Sequence, residues 1–191
     1  MAQAKTFQTE ELQQVLNFVQ HSKHAIRNRA MFLLTHWAGL RVGEVAALRM
    51  CDVLDANKQI KAEIRLSPEQ TKGLHARTVF LNEKLRVELQ TYADTLKPNR
   101  DPQWAFFPTQ KYPCRGFTAN TLTQHMNNIY RRCQIDGATS HSGRRSFITN
   151  LASKGIGVRV LMSLAGHRNI STTQAYIDVN DDMKRRAVEL I

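Results

Sequence analysis

The sequence predicts a mixed fold, mainly α, with one small antiparallel β-sheet. Apolar residues recur at helical spacing over most of the chain. One stretch alternates instead, with Ile60, Ala62, Ile64 and Leu66 against Lys61, Glu63 and Arg65, which is the period of a half-buried strand. The chain has 191 residues, 42% of them hydrophobic, enough for one domain to build a core without disulfides or a structural metal.

Residues 1–8 read as a frayed lead. Thr9, followed by Glu10 and Glu11, reads as a helix start with acids at the positive end of the dipole, and Leu12, Val15, Leu16 and Val19 continue it. A second helix covers 30–38 and stops at Gly39; Glu44 to Leu48 gives a short third. The alternating strand is broken by Ser67 to Gly73, and Thr78 to Leu81 supplies its partner, with a loop or a third short strand around Lys72. Asn82 caps a helix bearing Leu85, Val87, Leu89, Tyr92 and Leu96. Pro98, Pro102, Pro108 and Pro113 punctuate a loop that buries Trp104 to Phe107. Leu122, Met126, Ile129, Tyr130 and Cys133 share one helical face. Helices then follow over 142–154, 158–165, 171–177 and 182–190, with Gly155 and Gly166 as stops.

Lys and Arg total 27 against 16 acids, a net charge of +11. That excess favours a polyanionic partner, nucleic acid first, although a basic surface also serves solubility alone. Long single-sign charge runs and long apolar stretches are both missing, which excludes disorder and a membrane span. Cys51, Cys114 and Cys133 are odd in number and widely spaced, so neither a disulfide framework nor a zinc site is expected, and a cytoplasmic location is.

Three segments place polar groups at helix ends. In Gly39-Leu40-Arg41, with Glu44 following, Arg41 leaves a helix stop; alone it reads equally as a structural arginine on carbonyls or on Glu44. In the segment from Ser140 to Phe147, His141 and Arg144 are three apart and share a helix face, where they suit one anionic group or a simple helix cap. Cations at a helix start oppose the dipole, which favours a bound anion. In the third, His167 follows Gly166 and Tyr176 lies nine residues later; alone, Tyr176 reads as a core tyrosine. Together they form a set of donors around one hydroxyl, with no carboxylate cluster for a two-metal site. Such a set suits metal-free attack on a phosphodiester, because the cations stabilise the extra charge on the pentacoordinate phosphate and favour the phenolate.

With these motifs, Gly39-Leu40-Arg41 plus Glu44, His141-x-x-Arg144, and Gly166-His167 ahead of Tyr176, the chain resembles the catalytic domain of the tyrosine recombinases, the phage integrase family. The resemblance implies a catalytic domain over 9–179; the amphipathic segment 180–191 reads equally as a helix docking onto a neighbouring protomer or as one packing Met183, Ala187 and Leu190 on its own domain. It also places a catalytic lysine on the loop between two strands, where Thr71-Lys72-Gly73 stands; by itself Lys72 is equally an ordinary hairpin-tip lysine. The implied roles follow. Arg41 and Arg144 clamp the scissile phosphate, His141 assists Tyr176 or bonds the phosphate, and His167 bonds the phosphate. Lys72 protonates the leaving 5′-oxygen, and Tyr176 attacks to give a 3′-phosphotyrosyl link. Glu44 supports the Arg41 turn.

The resemblance implies no cofactor, metal or ATP. Its partners are double-stranded DNA and other copies of the chain, four protomers in a synaptic complex and a monomer when free. A DNA-binding accessory protein and a relaxing topoisomerase of type IB are the alternative activities. Two departures stand out. Gly143 replaces the usual apolar residue before Arg144, which is expected to loosen the helix by roughly 0.5–1 kcal/mol relative to alanine. The first motif begins at residue 39, which leaves no room for the family's usual core-binding domain; with half a clamp, DNA binding is expected to be weak and steeply salt-dependent.

Overall fold

The computed structural model describes residues 4–110, 112, 114–177 and 181–189. Helix α1 (Thr9–Gln20) packs on α2 (Ala25–Trp37), and α2 is the centre of the core. Its run from Ala30 to His36 is buried throughout. Short helices α3 (Val42–Ala46) and α4 (Met50–Val53) lead to strands β1 (Glu63–Leu66) and β2 (Arg77–Phe80). The strands pair antiparallel, with Ile64 opposite Val79 and Leu66 opposite Arg77. Helices α5 (Glu83–Ala93), α6 (Ala119–Arg132) and α7 (Ser142–Ser153) then close on α2 and α3. Helices α8 (Val158–Ala165), α9 (Ile170–Gln174) and α10 (Asp181–Val188) complete the chain. The mixed, mainly helical architecture with one small sheet is as the sequence predicts.

Several boundaries move for identifiable reasons. α1 itself does start at Thr9, with Gln8 as its N-cap, and Glu11 accepts a hydrogen bond from the Gln8 backbone N–H (3.0 Å). Within the described part of the lead, Phe7 is packed rather than frayed: it is buried against Phe32 and Tyr130, and its N–H donates to Ser146 Oγ (2.8 Å). α2 begins five residues before the predicted Ala30, and α4 was not legible at all. β1 starts only at Glu63, because the chain bends at Ala62, which is exposed. No third strand forms around Lys72 among the described residues; a 3-10 turn over Pro68–Gln70 leads into that loop instead. Phe106 and Phe107 are buried as expected, while Trp104 is 37% exposed. Pro113 lies outside the described residues. Of the apolar residues of the last helix, Ala187 is exposed, and the side chain of Met183 and all of Leu190 lie outside the described set.

Gly143 does the opposite of loosening its helix. A Cβ there would strike the Thr35 hydroxyl and come within 3.0 Å of Thr35 Cβ. The missing side chain is what lets α7 lie directly on the buried centre of α2. Gly143→Ala is therefore expected to destabilise the fold by about 1–3 kcal/mol through overpacking, against the ~1 kcal/mol gain that helix propensity alone would give. Urea unfolding of Gly143→Ala, and of the same change combined with Thr35→Ala to open space, measures the sign.

Candidate active site

The site is built on two turns and one buried carboxylate. At the first turn Gly39 has φ +66°, and a Cβ would sit 2.8 Å from Phe147 Cε1, so only glycine fits. Arg41 follows as the N-cap of α3. Its N–H donates to Glu44 Oε2 (2.8 Å) and its Nη1 to Glu44 Oε1 (2.9 Å). At the second turn Gly166 ends α8 with φ +59°, and a Cβ would meet Arg77 Cδ at 2.6 Å.

Glu44 is 1% exposed. Arg77 grips it with both edges, Nε to Oε1 (3.2 Å) and Nη2 to Oε2 (2.7 Å), and Arg77 Nη1 donates to Leu164 O (2.8 Å). One carboxylate thus ties α3, β2 and the end of α8. Burial opposes its charge, but the Arg77 hydrogen bonds and charge, and then Arg41, outweigh this and hold its pKa below the ordinary value. Arg144 is 4% exposed and donates to Gly39 O (2.6 Å) and to Ala165 O, so it joins the two turns from behind. Those bonds use two of its five donors. Burial, then Arg41 and Arg77 against Glu44 and Tyr176, pull its pKa down to about 9, so it remains a cation at neutral pH.

Arg41, Lys72 and His167 line one cleft of about 530 Å³, with Arg77 and Arg168. Lys72 is exposed on its loop. The loop's base is fixed by Thr71, whose hydroxyl accepts from His75 N (3.1 Å) and donates to Pro68 O (3.0 Å). His141 and Tyr176 do not line the cleft but adjoin its groups. His141 caps α7, and burial, then Arg144, Lys72 and Arg41, lower its pKa. His167 Nδ1 pairs with the buried Thr173 hydroxyl (2.9 Å). Burial, then Arg144, Arg41 and Arg77, take His167 down to about 4, so both imidazoles are neutral at pH 7. Tyr176 lies just past α9 rather than within a helix, and its ring stacks on His167 at 5.8 Å between centroids.

Three guanidinium groups, Arg41, Arg77 and Arg144, thus gather around the Glu44 carboxylate, and Lys72 adds a fourth cation at the cleft. The balance leaves a site that favours an anion. The sequence pattern of the phage integrase family matches residues 5–183. The chain belongs to the phage integrase family, the tyrosine recombinases. It is 28% identical over 185 residues to the tyrosine recombinase XerA of Pyrococcus furiosus, covering 97% of this chain and 61% of that protein. It is 30% identical over 180 residues to a tyrosine recombinase of Pseudothermotoga lettingae, covering 93% and 57%. The crystal structure of XerA recombinase shares its fold with a TM-score of 0.76 at 21% identity, over 100% of this chain and 66% of that one. The Tn1549 transposon integrase, solved in complex with a circular intermediate DNA, gives 0.74 at 20% identity, over 100% and 67%. The chain therefore spans about three-fifths of the recombinases it matches in sequence.

Two groups of this recombinase site escaped the sequence reading. Arg77 stands just before the strand predicted over Thr78 to Leu81 and was given no role there, yet it is the principal partner of Glu44. Thr173, fully buried, orients His167. An arginine at the start of a strand otherwise facing the core was the available signal for Arg77. Glu44→Gln keeps the shape but leaves Arg77 and Arg41 unmatched. It is expected to cost about 3–5 kcal/mol in unfolding free energy, as for other broken buried pairs. Glu63→Gln, which breaks only the exposed pair with Arg65, is expected to be nearly neutral in the same denaturation series.

Proposed function

We propose that this chain is the catalytic domain of a site-specific DNA recombinase that breaks and rejoins strands through a phosphotyrosyl link at Tyr176. The observation that carries this is the excess of cations around the cleft, set against one buried carboxylate and beside the His167–Tyr176 ring pair. A phosphodiester is an anion whose negative charge grows in the transition state, and preformed donors suit that growth.

In this mechanism Tyr176 Oη bonds to phosphorus while the bond from phosphorus to the 5′-oxygen breaks. His141, neutral at physiological pH, takes the phenol proton. Lys72 donates a proton to the leaving 5′-oxygen. Arg41 uses the donors that Glu44 leaves free, and Arg144 the three not spent on carbonyls, to hold the non-bridging oxygens. His167, with Nδ1 occupied by Thr173, presents Nε2 to the phosphate. The 3′-phosphotyrosyl link keeps the bond energy, and a 5′-hydroxyl from a partner strand reverses the step. Double-stranded DNA is the partner, in keeping with the net charge of +11 and with the DNA-bound transposon integrase. Four protomers assemble on two duplexes, with residues 180–191 docking between neighbours.

A nicked duplex that loses its 5′-fragment on cleavage traps the covalent adduct. Wild type is expected to accumulate it and Tyr176→Phe to form none while still binding DNA. No adduct from wild type would leave an accessory DNA-binding protein; an adduct without joining of two sites would indicate a relaxing enzyme. Because both imidazoles sit below their ordinary pKa, adduct formation is expected to be level from about pH 8 down to about 6.5 and to fall below that as His141 protonates. A single-turnover rate that keeps rising through neutral pH would remove His141 from the base role.

A further inference from the structure

Among the described residues, Arg145 is the one cation stacked on the Tyr176 ring, and none of the steps above employs it. Its Cζ lies 5.2 Å from the ring centroid, and its Nε donates to Thr6 Oγ1 (3.2 Å). We propose that Arg145 is a positioning residue that fixes the orientation of the Tyr176 ring and couples it to the N-terminal segment through Thr6. This role presupposes Tyr176 as the nucleophile.

The need for such a group follows from how little else holds the ring. α9 is five residues long and ends at Gln174, so Tyr176 stands beyond the helix. Its backbone is anchored at two points, N–H to Thr173 O (3.0 Å) and Thr149 Oγ1 to Tyr176 O (3.3 Å). Neither bond sets the side-chain torsions. The ring itself touches His167 by stacking and Arg145 by its cation, and its hydroxyl has no hydrogen-bond partner among the described residues. A guanidinium is suited to this double duty, because its face stacks on an aromatic ring while its edge donates in plane. An ammonium keeps the charge but cannot do both in the same geometry.

The far end of the link is firm. Thr6 precedes Phe7, which is 5% exposed among aromatic rings and whose N–H is bonded to Ser146. The first turns of α7 therefore carry four duties. Arg144 joins the two turns, Arg145 holds the ring, Ser146 holds Phe7, and Thr149 holds the Tyr176 carbonyl. Displacing residues 5–7 from α7 would free Arg145 and, with it, the nucleophile.

The test compares wild type, Arg145→Gln, Arg145→Lys and Thr6→Val on the nicked duplex under single-turnover conditions, with DNA affinity measured across a salt series. Arg145→Gln is expected to slow adduct formation at saturating DNA by about tenfold, Arg145→Lys by about threefold, and Thr6→Val by about twofold, with the salt slope unchanged. In parallel, the chain labelled with 3-fluorotyrosine, with residue 176 assigned by its loss in Tyr176→Phe, is expected to show that one fluorine resonance moved in Arg145→Gln and close to wild type in Arg145→Lys. A wild-type rate in Arg145→Gln overturns the proposal. So does a lower rate that merely follows weaker binding and a shallower salt slope, which would make Arg145 a phosphate contact. If wild type forms no adduct, the nucleophile assignment fails, and an unmoved fluorine resonance then separately refutes the ring contact.

Discussion

Among the described residues that build the cleft, Glu44 carries the one carboxylate, and the positions of Arg41 and Arg77 depend on it. Three guanidinium groups in a shared, half-dry space repel one another, and burial weakens the water that would otherwise screen them. The Glu44 carboxylate offsets this by accepting from Arg77 on two edges and from Arg41 on a third contact. Arg144, which has no carboxylate of its own, is held by two backbone carbonyls instead. The arrangement is preformed without an anion, yet its charge is incompletely neutralised, so an arriving phosphate meets donors that are already aimed and still under-matched.

The two glycine turns show how tightly backbone and chemistry are joined. Gly39 yields its side-chain space to Phe147 of α7, and Gly166 yields its space to the Arg77 side chain. Gly143 does the same for Thr35 of α2. In each case the space given up lets a functional element approach: α7 brings Arg144 to the Gly39 carbonyl, and the α8 terminus brings the Ala165 carbonyl to the same guanidinium. A Cβ at any of these places would push apart groups whose hydrogen bonds tolerate only tenths of an ångström.

Long periodic elements were legible in the sequence because their burial is one-sided. The faces of α1 and α6, the Asn82 cap of α5 and the Gly166 stop of α8 all stand where the pattern puts them. What the pattern could not reveal is set by contacts distant in sequence. Phe7 looks like part of a loose lead until Phe32 and Tyr130 are seen around it. Gly143 looks like a weak helix residue until Thr35 is seen above it. Arg77 looks like a strand residue because its partner Glu44 lies 33 positions away. Arg41, His141, Arg144, His167 and Tyr176 could be singled out from their motifs, and Lys72 only through the resemblance to the family. The carboxylate clamp, the threonine behind His167 and the arginine on the tyrosine ring could not, since none of them repeats or sits in a recognisable local pattern.

The same division explains why Tyr176, the proposed nucleophile, is held more lightly than the arginines. Arg41, Arg77 and Arg144 are held by ionic and carbonyl contacts on α3, β2, α7 and α8. Tyr176 follows a five-residue helix and is held by two backbone hydrogen bonds and two ring contacts. Rigid donors and a lightly held nucleophile serve different needs. Charge stabilisation requires donors that do not reorganise as the phosphate gains charge. In the proposed mechanism, a group that attaches to phosphorus and later leaves it travels between the two states, and a lightly tethered turn allows that travel without disturbing the buried carboxylate that holds Arg41 and Arg77.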